Sequence, residues 1–121
     1  IRFGGRVGGA ASGFRVEAAR ARLDRLSAAV ASSDYFALLE LSRDTTAREV
    51  AAAHERLAGG LRRLALEALG LGHREGERQE ALAVLDEARD VLRDARLRAL
   101  YADALRARAA REGTHAGDAG G

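Results

Sequence analysis

DYFALLELSRDTTAREVAAAHERL, residues 34–57, holds two helix starts in close succession, and its reading decides the fold. Asp34 stands directly before Tyr35-Phe36-Ala37-Leu38-Leu39. An Asp there accepts from backbone amides that the first helical turn leaves unpaired, so a short helix over 34–40 is predicted, with Ser33 and Asp34 as its capping residues. Asp44-Thr45-Thr46 opens the next element. Thr46-Ala47-Arg48-Glu49 fits a capping box, in which the Thr hydroxyl accepts from the amide three residues on and the Glu reaches back. Val50, Ala53, Leu57 and Leu61 then recur at three- and four-residue steps, and Leu64, Leu66 and Leu69 continue the apolar side. The spacing predicts a long helix over 46–69. Gly59-Gly60 lies inside it. Two glycines cost about 2 kcal/mol relative to Ala, so they mark a break, a kink or a close crossing.

Toward the C-terminus, GLGHREG at 70–76 reads as a loop. Ala81, Val84, Leu85, Ala88, Val91 and Leu92 place one apolar face on a helix over 77–93. Asp94 can cap a last helix over 95–108 that carries Leu97, Leu100, Tyr101, Ala104 and Leu105. Leu57, Leu85, Leu92 and Leu100 are the expected core leucines. Toward the N-terminus, Val16, Ala19, Leu23, Leu26 and Val30 mark a linker helix over 15–32, packing on the domain or on one upstream. Residues 1–14 are Gly-rich and read as a flexible linker, and 109–121 as a disordered tail. The domain itself should span 33–108.

Composition agrees with an all-α protein. Ala, Leu, Arg and Glu abound in the 121 residues, while aromatics make up only 4%. There is no Pro, Cys, Met or Lys. No disulfide or thiolate metal site can form, and a P-loop lysine or a Schiff-base lysine is excluded. Abundant Ala, Gly and Arg without Lys or Asn suggest a GC-rich bacterial coding sequence, so the 20 arginines partly reflect codon usage. Six of them fall in residues 1–30, against Glu17 and Asp24, so the basic character is N-terminal and mild. The chain begins at Ile1 without Met and is expected to be a piece of a longer, cytoplasmic protein. No apolar run nears the roughly 20 residues that a membrane-spanning helix needs.

Four pieces of the sequence, in order, resemble the J-domain of the DnaJ family. Asp34-Tyr35-Phe36-x-Leu38-Leu39-x-Leu41 is similar to the family's opening "DYYxxLGV". Thr46-x-x-Glu49-Val50-x-x-Ala53-x-x-x-Leu57-Ala58 resembles "xxxEIxxAYxxLA". Glu87-Ala88-x-x-Val91-Leu92-x-Asp94 resembles "EAYxVLxD", and Arg98-x-x-Tyr101 resembles "RxxYD". The resemblance implies two long antiparallel helices flanked by short first and last ones. It departs at Glu40 for a glycine, at His54 and Arg89 for tyrosines, and above all at the activating His-Pro-Asp tripeptide. Counted without gaps from Asp34, that tripeptide falls on Arg62-Arg63-Leu64, and a chain without proline cannot hold it in any register.

In the family, the tripeptide and a basic second helix dock on a DnaK-type chaperone and stimulate its ATPase. The resemblance therefore implies a chaperone-related interaction module that has lost this stimulation. Its partner would be a DnaK-type chaperone or another domain of the same protein. His73-Arg74-Glu75 offers a second register: it lies 11 residues past Arg62, close to three helical turns. Candidate partner-binding residues are thus Arg56, Arg62, Arg63, His73, Arg74 and Glu75. No enzyme, catalytic residue or cofactor is expected. His54, His73 and His115 lack metal-ligand spacing. Asp86, Glu87 and Asp90 read as a solvated helix face. Two alternatives remain: nucleic-acid binding through the arginines of 15–25 with Arg62-Arg63, and a structural cap on a larger protein.

Overall fold

The structure, a computed structural model, describes the backbone of residues 2–120 and the side chains of residues 13–113. The protein is all-α, with no strand among the described residues. Its helices are α1 (Arg2–Ser32), α2 (Tyr35–Leu39), α3 (Ala47–Arg62), α4 (Glu75–Leu92) and α5 (Ala95–Gly120), with a single 3-10 turn at Gly72–Arg74 before α4. Helical backbone thus runs from Arg2 through the Gly-rich stretch expected as a flexible linker, and up to Gly120 through the segment expected as a disordered tail. The side chains of residues 1–12 and 114–121 lie outside the described residues.

The helix starts arise as the local chemistry dictates. Asp34 Oδ1 accepts from the Phe36 and Ala37 amides at 2.9 and 3.2 Å. Thr46 and Glu49 form the reciprocal capping box. The Asp94 carboxylate accepts from the Leu97 amide at 3.0 Å. Helix α2 ends on Glu40, which adopts a left-handed conformation with φ 59°. The Glu40 amide donates to Ala37 and that of Leu41 to Phe36, the double closure that usually has glycine at this position. Glu40 stands where the family pattern has its glycine, and an L-residue bears a cost of about 1–2 kcal/mol there.

Helix α4 packs against every other helix. Its buried stripe is Ala81, Leu85, Ala88 and Leu92, spaced by four, three and four residues. Val50, Ala53, Leu57, Ala58 and Leu61 of α3 meet it in a single core. The sense of this pair follows from its contacts: Arg78 reaches Leu61, and farther along Asp86 reaches His54, so the two helices run antiparallel. Phe36, Leu38 and Leu39 of α2, and Ala19, Leu23 and Leu26 of α1, enter the same core. Helix α1 packs on α4 and α2 along the stripe its periodicity marked.

The long helix expected over 46–69 ends earlier, at Arg62. Beyond it, Leu66 and Leu71 are buried and the chain closes in turns, with the Leu71 amide donating to Leu66 at 2.7 Å. A continued helix would have sent these leucines to different sides. The turn folds both under the helical pair, and Gly70 supplies the positive φ (75°) that it requires. The glycine pair does not break α3. Both residues lie inside it, and a Cβ on Gly60 would stand 2.5 Å from the Arg22 guanidinium of α1. The pair thus leaves space for the Arg22 side chain against α3.

One expected core residue is misplaced. Leu57, Leu85 and Leu92 are buried, but Leu100 is 56% exposed and Leu97 44%. The inward face of α5 is instead Arg98, Tyr101, Ala102 and Leu105, a rotated three–four spacing. Two contacts fix that rotation. Arg98 Nη1 donates to the Leu92 carbonyl at 2.7 Å, and Tyr101 stacks on Tyr35 with ring centroids 4.8 Å apart. Leu85→Ala should therefore destabilise the protein by about 2–5 kcal/mol, whereas Leu100→Ala should change stability by less than about 0.5 kcal/mol. Urea denaturation of the two variants checks this; equal losses would mean that α5 packs on its other face.

Candidate interaction surface

The six candidate partner-binding residues divide into two groups on either side of the α3–α4 connection. Arg56 and Arg63 are seven residues apart on α3 and so share one face. Arg56 Nη1 lies 3.5 Å from Glu40 Oε1, and Arg25 of α1 approaches the other oxygen at 3.6 Å. The strained Glu40 position thus places a carboxylate between two arginines. Arg62 is exposed in the last turn of α3. Arg63 caps the helix: its amide donates to Gly59 at 3.1 Å while its side chain is exposed.

The second group is tied up within the fold. His73 is exposed in the 3-10 turn. The Arg74 side chain is only 14% exposed. Its Nη2 contacts Asp24 of α1 at 2.8 Å and Glu77 at 2.7 Å, and its Nε donates to Glu77 at 2.9 Å. The Arg74 hydrogen bond pulls the Glu77 carboxyl down to about 2, with Ser27 of α1 helping. Glu75 accepts from Arg78 and, at 2.8 Å, from Gln79, and both lower its pKa. These ion pairs bind α1 to the start of α4 and leave His73 as the free member of its tripeptide.

Arg78 is a residue that sequence reasoning missed. Its Nη1 donates to the Leu64 carbonyl at 2.6 Å and to that of Leu61 at 3.3 Å, while Glu75 neutralises it. The last carbonyls of a helix have no partner within it, and a cation beside them also meets the negative end of the helix dipole. Arg78 so locks the end of α3, including Arg62-Arg63-Leu64, onto α4. Arg98 does the same for the end of α4. No spacing rule announces an arginine that reaches back 14 residues to Leu64.

A second missed feature is the His54–Asp86 pair. His54 is 5% exposed, and its Nε2 donates to Asp86 Oδ1 at 2.7 Å across the α3–α4 interface. The signal was present: His54 follows Val50 by four and precedes Leu57 by three, which places it on the apolar stripe. A buried imidazole needs a partner, and Asp86, expected on a solvated face, supplies it. Near α2, Tyr101 completes a further bridge. Its hydroxyl accepts from the Tyr35 amide at 2.9 Å and donates to the Ser33 carbonyl at 3.0 Å. Burial and the Glu87 carboxylate push the Tyr35 hydroxyl up to about 12.

Among the described residues, no three His, Asp or Glu side chains converge on a possible metal position. Nor is any helix long and apolar enough to cross a membrane. The His54 hydrogen bond holds the Asp86 carboxyl below its usual range. A carboxylate with a depressed folded pKa contributes stability that is present above its unfolded value, about 3.9, and is lost as pH falls through the folded one. The stability advantage of the parent over Asp86→Asn should therefore shrink as pH falls from about 5 to about 3, as read from urea midpoints. A pH-independent difference would show that the charge of Asp86 plays no part. Compared with protein-family models, curated proteins and solved structures, the chain matches none.

Proposed function

We propose that residues 34–108 are a degenerate J-like domain that serves as a non-catalytic protein-interaction module and does not stimulate a DnaK-type ATPase. The observation that carries this reading is the end of α3. Helix α3 stops at Arg62, so Arg62-Arg63-Leu64 occupies the turn out of the second J-like helix, where the resemblance puts the activating tripeptide. Two exposed arginines stand there without proline or acid. The tripeptide's aspartate would pair with an arginine of the chaperone, and an arginine in its neighbourhood repels that group instead. A lost charge-assisted hydrogen bond is worth about 1.5–3 kcal/mol.

The order of α2, α3, α4 and α5 supports the same reading, as do the Asp34 cap, the Thr46–Glu49 capping box and the reach of Arg98 to Leu92. The register at Arg62 is preferred because Arg74 and Glu75 are already engaged by Asp24, Glu77 and Arg78. Partner docking is assigned to the exposed side chains Arg56, Arg62 and Arg63, with a chaperone or a neighbouring domain as the partner.

The 121-residue chain should leave the steady-state ATPase rate of a DnaK-type chaperone at its basal value. Stimulation comparable to that of an intact J-domain would refute the reading. The triple variant Arg62→His, Arg63→Pro, Leu64→Asp should gain stimulation. The pair Arg74→Pro, Glu75→Asp should not, because it breaks the bond to Asp24. Rescue by the second set alone would move the tripeptide register into the loop.

A further inference from the structure

Helix α1 and the turn segment after α3 enclose an open groove of about 520 Å³. Its apolar lining includes Phe14, Leu64 and Leu69, and its charged lining is Arg15, Arg22 and Arg63. No carboxylate appears among the described residues that line it, and none of these three arginines forms an ion pair among those residues. Other arginines, among them Arg20, Arg25, Arg56, Arg74 and Arg78, have an acidic partner; the groove is where three arginines without one line a single apolar concavity. Phe14 is 75% exposed, the most exposed large apolar side chain described.

We infer that this groove docks an acidic amphipathic helix of a protein partner, with apolar side chains on Phe14, Leu64 and Leu69 and carboxylates toward the three arginines. The mode is a helix laid in a groove, read by anchors at three- and four-residue steps. The inference deepens the interaction-module reading and rests on it.

Charge decides the occupant. Residues 1–12 of this chain carry Arg2 and Arg6 and no acid, and residues 114–121 carry the single acid Asp118, so neither end complements three guanidinium groups. The other exposed apolar stripe, Leu97 and Leu100 on α5, stands among Arg96, Arg98, Arg106 and Arg108 against Asp94 and Asp103, so a second copy would bring mostly like charge. A nucleic-acid backbone calls for an extended basic track, whereas here Glu17, Asp24 and Glu67 flank an apolar floor. Aromatic and arginine anchors around an apolar centre are the usual high-energy contacts of protein interfaces.

The test uses the whole chain and a designed amphipathic helical peptide of about 18 residues, with leucines at three- and four-residue steps flanked by glutamates. Fluorescence anisotropy should show saturable binding, weaker by at least about tenfold when glutamine replaces every glutamate, and weaker still when lysine does. Phe14→Ala, and separately the pair Arg15→Glu with Arg63→Glu, should each weaken it by at least about tenfold, with unchanged circular dichroism. Arg96→Ala with Arg111→Ala lies on α5, outside the groove, and should leave binding intact; peptide binding and chaperone ATPase are separate readouts, so failure here is distinct from failure of the ATPase reading. Equal binding of the glutamate and lysine peptides would overturn the inference. So would tighter binding of a DNA duplex, or sedimentation showing a dimer that Phe14→Ala disperses, because the groove would then belong to another occupant.

Discussion

Burial of the α4 stripe Ala81, Leu85, Ala88 and Leu92 is the constraint on which the rest of the fold depends. In a chain this short, one helix must serve as the shared wall of the core, because separate helix pairs would each leave apolar faces in water. Alternating small and large residues suits that role. Ala81 and Ala88 leave room for neighbouring helices to approach, while Leu85 and Leu92 fill the space between them. Helices α1, α2 and α3 all deliver leucines to this wall, so the N-terminal helix belongs to the same core as the helices that follow it.

Crowding helices around one axis brings their ends into the interior, where unpaired backbone carbonyls are costly. The protein meets that cost with arginine. Arg78 covers the end of α3 and Arg98 the end of α4, each from an early turn of the helix that follows. A guanidinium suits the task because it offers several donors in a fixed fork and stays charged when partly buried. Some of the 20 arginines, Arg78 and Arg98 among them, are therefore structural, and total charge says little about a partner. The α1 groove differs in gathering three arginines without such work around one apolar concavity.

The same economy shapes the contacts of α1. Glu40 occupies a left-handed turn and holds Arg25 and Arg56 between α1 and α3. Arg74 ties α1 to the start of α4. Glu40 and Arg74 thus both contact helix α1.

The sequence by itself determined the helical stripes and the starts of α2, α3 and α5, because caps and apolar periodicity are local. Asp34, Thr46 with Glu49, and Asp94 act within four residues of themselves, and the stripes on α1, α3 and α4 need only a period of 3.6 residues. Candidate residues Arg62 and Arg63 were legible as exposed charges for the same reason. Tertiary structure alone decided where α3 stops, since buried Leu66 and Leu71 turn the chain to reach the core. It also set the rotation of α5. Leu97 and Leu100 are as apolar as any core residue, yet the reach of Arg98 to Leu92 and the Tyr35–Tyr101 stack turn them outward. The His54–Asp86 pair, the engagement of Arg74 and the groove beside Phe14 join residues roughly thirty to fifty positions apart in sequence. Such partners are chosen by how whole helices pack, and no window of local sequence contains that information.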